Sequence, residues 1–304
     1  MKMKKIEIFN RELNQSLSSD EKQMNVFKQQ IDLIMKSVCE RLDHCDKSMI
    51  IGTGKMNDFS LTFFVKNFKK VILTDIDLNT VNEAVKEFRF TEEELLKLET
   101  IRIDYTGFEK NGFFTDFKER IVNCHSFEKI DQVIQSKLVG LEEYSFLKGY
   151  FEQVDLIYIS PIYTQLVYNQ LLHECAALRE SGYPEHMIKY IEGIMLDEMV
   201  GIIERFNENI FKTLRPGGEL VALSDIFQVD IGSRFYLRVK NGIKSHEVMD
   251  EIYEGYKEKY GIGLGDYGLL NLDEKLKSYL SRWLIWPFDD KSAFIVKLKI
   301  YKKI

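Results

Sequence analysis

Four short segments of this chain carry residue types from which a ligand site can be built. Gly52-Thr53-Gly54 follows the apolar run Met49-Ile50-Ile51. Glycines after a buried strand let the backbone turn tightly and approach a ligand closely. The N–H groups that open the next helix then favour a negative group. Asp75 ends a second apolar run, Val71-Ile72-Leu73, 23 residues after Gly52. In nucleotide-binding α/β folds a carboxylate there accepts hydrogen bonds from ribose hydroxyls. Asp104 closes a weaker run, Ile101-Arg102-Ile103, where a carboxylate can accept from an exocyclic amine; it reads equally as an exposed loop residue. Ser160-Pro161-Ile162-Tyr163 closes the run Asp155 to Ile159. A rigid Ser-Pro turn with an aromatic behind it can hold a planar or amino-bearing group. It also reads as a strand-to-helix turn, with Ser160 as a cap and Tyr163 as packing.

The elements needed to bring these segments together follow from periodicity. Met24, Phe27, Ile31, Met35, Val38 and Leu42 recur at helical spacing behind a capping-box pair, Ser18 and Glu21, which predicts an amphipathic helix ending near Asp46. Strands at Met49, Val71 and Ile101 then alternate with helical stripes through Leu61, Val65 and Phe68, and through Leu78, Val81, Val85 and Phe88. That order implies parallel strands, right-handed crossovers and helices on both faces. A fourth strand runs from Val154 to Ser160, followed by helices from Gln165 to Arg179 and Ile188 to Leu214. Arg215-Pro216-Gly217-Gly218 stops the second helix, and Glu219 to Ser224 is the fifth strand. Trp283 to Tyr301 reads as two strands joined at Phe288 to Lys291. The expected organisation is an N-terminal helical cap over residues 1–47 and an α/β domain over 48–304, with insertions near 105–151 and 226–282. The fold class is a Rossmann-like, doubly wound, three-layer α/β/α sheet, mostly parallel with an antiparallel terminal strand.

Composition narrows the function classes. A hydrophobic fraction of 45% and a charged fraction of 30% are those of an ordinary globular chain. No run of about 18 apolar residues is present, and no apolar stretch follows the basic start, so neither a membrane span nor a secretory signal is expected. The net charge of −6 disfavours a partner whose phosphates must be neutralised along a basic face, without excluding nucleic acid. Cys39, Cys45, Cys124 and Cys175 form no CxxC pair, which suits free thiols in a cytoplasmic protein; no metal site is expected. Cys124-His125 reads as an idle thiol. Trp283 and Trp286 read as core, with stacking on a flat substrate as the alternative.

Taken in order, these segments resemble the class I S-adenosylmethionine-dependent methyltransferases. Met49 to Met56 is similar to the family's glycine motif, Val71 to Asp75 to its second motif, and Asp104 to its third. Asp155 to Tyr163 is similar to the fourth. The run Leu214 to Leu220 resembles the LxPGGxL segment that leads into the family's fifth strand. The terminal hairpin resembles its antiparallel sixth and seventh strands, which NAD-binding domains lack. Asn57 also stands where an NAD fingerprint has its third glycine.

The resemblance implies S-adenosyl-L-methionine as cofactor, held by Gly52, Thr53, Gly54, Asp75, Ile76, Asp104, Tyr105 and Ser160. It implies Ser160 and Tyr163 as the residues at the reacting centre. A small-molecule acceptor is the expected partner. Two positions depart from the pattern. Ile50 replaces an acidic residue, and Met56 replaces the third glycine; Lys55 and Asp58 are the candidates to compensate at the methionine end of the cofactor. Ile162 replaces the second proline of the segment used by amino-methyltransferases. The alternatives are an aminopropyl or aminobutyl transferase using the same cofactor, and a non-catalytic binding protein that retains the fold.

Overall fold

Successive residues of the central strands are buried against different partners. Met49, Ile51, Ile157, Ile159, Leu220 and Ala222 belong to one apolar cluster, and Ile50, Leu156, Tyr158, Val221 and Leu223 to another. A strand's side chains alternate between its faces, so a sheet buried on both sides needs apolar residues at both parities. A computed structural model describes residues 5–16, 21–287, 289 and 291–304.

Among these residues seven strands form one sheet: β1 (Lys47–Ile51), β2 (Lys70–Asp75), β3 (Leu98–Arg102), β4 (Val154–Ile159), β5 (Leu214–Asp230), β6 (Lys277–Pro287) and β7 (Ser292–Lys302). Their spatial order is β3-β2-β1-β4-β5-β7-β6. All neighbours pair in parallel except β7, which runs antiparallel to both β5 and β6. The expected three-layer sheet with a reversed last strand is present. The reversed strand is inserted between β5 and β6, so the sheet edge is β6.

The helices, in chain order, are α1 (Lys5–Ser16), α2 (Glu21–Cys39), α3 (Leu61–Asn67), α4 (Leu78–Glu87), α5 (Glu92–Leu96), α6 (Phe117–Ile121), α7 (Phe127–Leu138), α8 (Tyr168–Glu180), α9 (Glu185–Thr213), α10 (Arg234–Gly242), α11 (His246–Tyr260) and α12 (Leu264–Lys275). Residues of α2, α3 and α4 cover one face of the sheet, and residues of α6, α7, α8, α9 and α12 the other. Within segment 105–151, Phe108, Phe113, Phe114 and Phe117 stack on one another and join that second face. None of the helices, among the described residues, is long and apolar enough to cross a membrane.

Several expected boundaries move. The helix predicted to reach Asp46 ends at Cys39, because Asp155 pulls the following chain into β1: its Oδ2 accepts the N–H groups of Asp46 at 2.9 Å and Lys47 at 2.7 Å. Ser18 lies outside the described residues. Strand β3 stops at Arg102, leaving Asp104 in the loop beyond it. Pro216-Gly217-Gly218 does not separate α9 from the fifth strand but lies inside β5, where Gly217 takes φ +79° and donates to Lys303 O at 2.8 Å. β5 and β6 also extend into the segment 226–282, which contains three helices between them. α1 has no counterpart among the sequence expectations, although Ile6, Phe9 and Leu13 have helical spacing.

Candidate functional site

The loop after β1 is built by its own backbone. Gly52 and Gly54 take φ +72° and +47°, values that favour glycine. The N–H groups of Gly52 and Thr53 both reach Thr74 O at 3.1 Å, and Gly52 N–H also donates to the Tyr105 hydroxyl at 3.1 Å. Thr74 Oγ1 lies 2.8 Å from the same hydroxyl, so Tyr105 ties the β3 loop to the ends of β1 and β2. A Cβ on Gly52 would fall 2.9 Å from Ile162 Cδ1. The φ favours glycine here, and a side chain would also have to displace the tip of Ile162. Met56 takes φ +59° with its side chain buried, so the position of the family's third glycine keeps a left-handed conformation without a glycine.

Asp75 ends β2 and points back at this loop. Its Oδ2 accepts from Gly54 N–H at 2.8 Å and its Oδ1 from Asp77 N–H at 2.9 Å. Burial pushes its carboxyl up to about 6, against the pull of those N–H groups. Asp77 caps α4 through Thr80. Asp104 serves its own loop: Oδ1 accepts from Thr106 N–H at 2.9 Å and Oγ1 at 2.7 Å, and Oδ2 accepts from Glu109 N–H at 2.8 Å.

A cleft opens along the C-terminal ends of β1, β2 and β4, and runs from Ile103 to Pro287. In an open α/β sheet this is where ligands bind, at the switch point between strands whose crossovers run to opposite sides. Gly52, Thr53, Gly54, Asp75, Ile76, Asp104, Tyr105 and Ser160 all line it, as do Lys55 and Asp58. α1 closes it from above with Ile6, Asn10 and Asn14. That helix is held by ion pairs of Lys5 to buried Glu174 at 2.7 Å and of Glu7 to Arg102 at 3.1 Å.

Tyr163 is the exception. Its side chain is 1% exposed and does not line the cleft. The hydroxyl lies 3.0 Å from Asn207 Oδ1, and the ring meets Phe206 edge-on at 5.8 Å. Gly268 leaves room for it, since a Cβ there would fall 2.4 Å from the ring. The backbone turn after Ser160 points Ile162 at the cleft and Tyr163 into the core, so the expected role of Tyr163 at the reacting centre is corrected to packing.

Sequence reasoning placed Asp58 only as a substitute at the loop, but the structure makes it a centre of the site. Asp58 is 5% exposed, and its Oδ2 accepts from the Tyr158 hydroxyl at 3.0 Å. Burial pushes its carboxyl up to about 6, opposed by neighbouring Ser160 and Tyr158 and by the Lys28 charge. Ser160 Oγ is buried and, among the described residues, has no hydrogen bond of good geometry. Trp286 also lines the cleft, stacked on Phe27 at 6.0 Å, with its Nε1 buried and unpartnered among the described residues. Trp283 belongs instead to a core cluster with Phe227 and Tyr253. No histidine lines the cleft, and Cys124 is a buried thiol whose ionisation burial opposes. Among the described residues the charged side chains facing the cleft are Asp58, Asp75 and Asp104 against Lys55, so their field favours a cation.

No family model matches the chain, and no curated protein matches it. Solved structures do. A SAM-dependent methyltransferase from Aquifex aeolicus is similar at 11% identity over 96% of this chain and 97% of its own, with a TM-score of 0.40. A SAM-dependent methyltransferase from Methanosarcina mazei is similar at 13% identity over 87% and 95%, with a TM-score of 0.44. A spermidine synthase in complex with the transition-state analogue AdoDATO is similar at 12% identity, over 88% of this chain but 58% of the synthase, with a TM-score of 0.41. With the order β3-β2-β1-β4-β5-β7-β6 and β7 alone reversed, the chain has the Rossmann-like, three-layer α/β/α fold expected from its sequence.

Proposed function

We propose that this chain is an S-adenosylmethionine-dependent transferase that moves a methyl group to a small-molecule acceptor in the cytoplasm. The observation that carries the reading is the cleft itself. The C-terminal end of the sheet brings together a glycine loop tight against Ile162 at Gly52, a carboxylate locked to that loop, and a buried hydroxyl beside Asp58 that lacks a well-aligned hydrogen bond among the described residues. These features fit an adenosyl sulfonium. Gly52 and Gly54 allow close approach. Asp75 keeps lone pairs for ribose hydroxyls beyond the two it gives to backbone N–H groups. Ile76 and Ile103 offer apolar surface for a base. Asp58, held by Tyr158 on the strand paired with Ile50, is the carboxylate that would take an α-ammonium in place of the acidic residue that Ile50 replaces.

When bound, the cofactor supplies an activated methyl group. The chain's contribution is then placement: Ser160 accepts or donates one hydrogen bond to the acceptor, and α1 with Trp286 restricts water. Holding two reactants in line accounts for a large part of such a rate enhancement without a covalent intermediate on the protein. The acidic cleft also suits aminopropyl or aminobutyl transfer to an amine.

Isothermal titration with S-adenosylmethionine, S-adenosylhomocysteine and NAD tests the reading. Saturable binding of the adenosyl ligands, weakened by Asp75→Ala and absent for NAD, is expected; no adenosyl binding would overturn it. Release of S-adenosylhomocysteine on turnover distinguishes methyl transfer from the other transfers, which leave methylthioadenosine.

A further inference from the structure

The outer edge of the sheet carries a hollow that lies apart from the cleft. Strand β3 pairs with β2, and among the described residues its other edge meets no strand. Lys97 O and Ile103 N–H both bond to β2. Backbone groups of a strand alternate between its two edges, so Arg102 turns its N–H and C=O outward. The hollow runs along this edge from Ile101 to Asp104, and the segment from Tyr144 to Tyr150 forms its opposite wall. Of its lining residues, Ile103 and Asp104 also line the cleft, so a thin wall separates the two. Its volume of about 520 Å³ suits a small organic ligand.

The opposite wall is fixed in place. The Tyr144 hydroxyl donates to Asp104 O at 2.6 Å, and the Tyr150 hydroxyl donates to the Glu99 carboxylate. Phe146 is 5% exposed, with its ring centroid 6.4 Å from that of Tyr144. Leu147 takes φ +58° and opens the single turn Lys148–Tyr150, which brings Lys148 to the rim. A non-glycine residue holds that conformation at a cost, which the contacts of this wall offset.

The charge left over on the hollow is one-sided. Asp104 gives Oδ1 to Thr106 and Oδ2 to the Glu109 N–H. The Glu109 carboxylate pairs with Arg102, whose guanidinium also meets Glu7 at 3.1 Å. Lys110 and Lys148 line the same hollow and are exposed, and among the described residues their ammonium groups have no ion pair or hydrogen bond. Two ammonium groups, the outward N–H of Arg102 and the aromatic side chains of Tyr144, Phe146 and Tyr150 are therefore open to a ligand.

We propose that this hollow is a second ligand site, which takes a small anion with a flat apolar body. The ammonium groups and the Arg102 N–H meet the anionic group, and the aromatic wall covers the body. A cation would face two like charges there. An added strand is the other way to fill a free edge. Along the hollow, however, Asp104 O is already taken by Tyr144, and Arg102 alone turns both backbone groups outward, which is too short a stretch for a ladder. The site does not depend on the adenosyl-transferase reading.

Calorimetric titration of the full chain with 2-naphthoate and with the isosteric 2-naphthamide tests the proposal, each with and without saturating S-adenosylhomocysteine. The anion is expected to bind about tenfold more tightly than the amide, and to remain bound when S-adenosylhomocysteine fills the cleft. Lys110→Gln combined with Lys148→Gln changes two exposed side chains, and an unaltered melting temperature checks the fold. The double variant is expected to lose about tenfold in naphthoate affinity while naphthamide affinity stays the same. Tyr150→Ala is expected to weaken both ligands alike. Absence of naphthoate binding, equal affinity for anion and amide, unaltered affinity in the double variant, or displacement by S-adenosylhomocysteine would each overturn the proposal. Failure of S-adenosylhomocysteine to bind would overturn the cofactor reading instead, and the titrations without it would still decide this one.

Discussion

Asp75 Oδ2 accepts the backbone N–H of Gly54 at 2.8 Å, so the end of β2 and the loop after β1 are one unit. A carboxylate expected to serve a ligand thus also shapes the loop that approaches it. Asp75→Ala removes both acceptors and leaves the part-buried N–H of Gly54 and the buried N–H of Asp77 in want of partners. It is expected to lower stability by about 2 kcal/mol and to weaken adenosyl binding by more than tenfold, roughly the cost of losing hydrogen bonds to a charged group. Asp75→Asn, which keeps one acceptor oxygen, falls between. Denaturant titration and calorimetry measure the two effects separately.

Met56 offers a reversal of the usual order of substitutions. Because its φ is +59°, Met56→Gly is expected to be more stable than Met56→Ala by about 1 kcal/mol, although both lose the same buried side chain. Urea midpoints of the two variants check this. If Ala were the more stable, the left-handed conformation would not be present.

Gly52→Ala is strained at φ +72° and places its methyl 2.9 Å from Ile162 Cδ1. A loss of about 2 kcal/mol is expected, with partial recovery on adding Ile162→Val, which shortens the opposing side chain. Recovery from a distant cavity-making substitution would refute the contact.

The pH dependence has a definite sign at Asp58. Its folded carboxyl is raised to about 6 by burial, from an ordinary value near 4. The folded state therefore holds this proton more tightly, and its contribution to stability is full below about pH 4 and lost as pH rises through about 6. The wild type minus Asp58→Asn difference in unfolding free energy should fall across that window. Affinity for a cationic ligand should change in the opposite direction, rising as Asp58 ionises, and Asp58→Asn should flatten that rise. Melting curves and titrations between pH 4 and 8 read both.

Tyr163→Phe separates packing from chemistry. Losing the hydroxyl orphans Asn207 Oδ1, which is expected to cost about 1 kcal/mol, while adenosyl affinity stays unchanged. A selective loss of turnover with intact stability would return Tyr163 to the site.

What the sequence determined by itself is the alternating order of strands and helices, and the ligand-facing loops at the strand ends. Local hydrophobic period and glycine placement encode both, since Met49 to Gly54 or Val71 to Asp75 reads the same in any environment. The long α9 was legible for the same reason, as its apolar stripe persists over many turns. Only the tertiary structure decided which side chains enter the cleft. Ile162 and Tyr163 are adjacent and both apolar in part, and the space left by Gly268 turns the second inward. Asp58 looks like an ordinary surface acid until Tyr158, 100 residues away, meets it in the buried wall of the cleft. α1, with its Lys5, Glu7 and Arg11, has a charge pattern that fits an exposed helix, and its place over the glycine loop is set by partners at Glu174, Arg102 and Asp77. Such pairings join residues far apart in sequence, and their energy exists only once the sheet has placed them together.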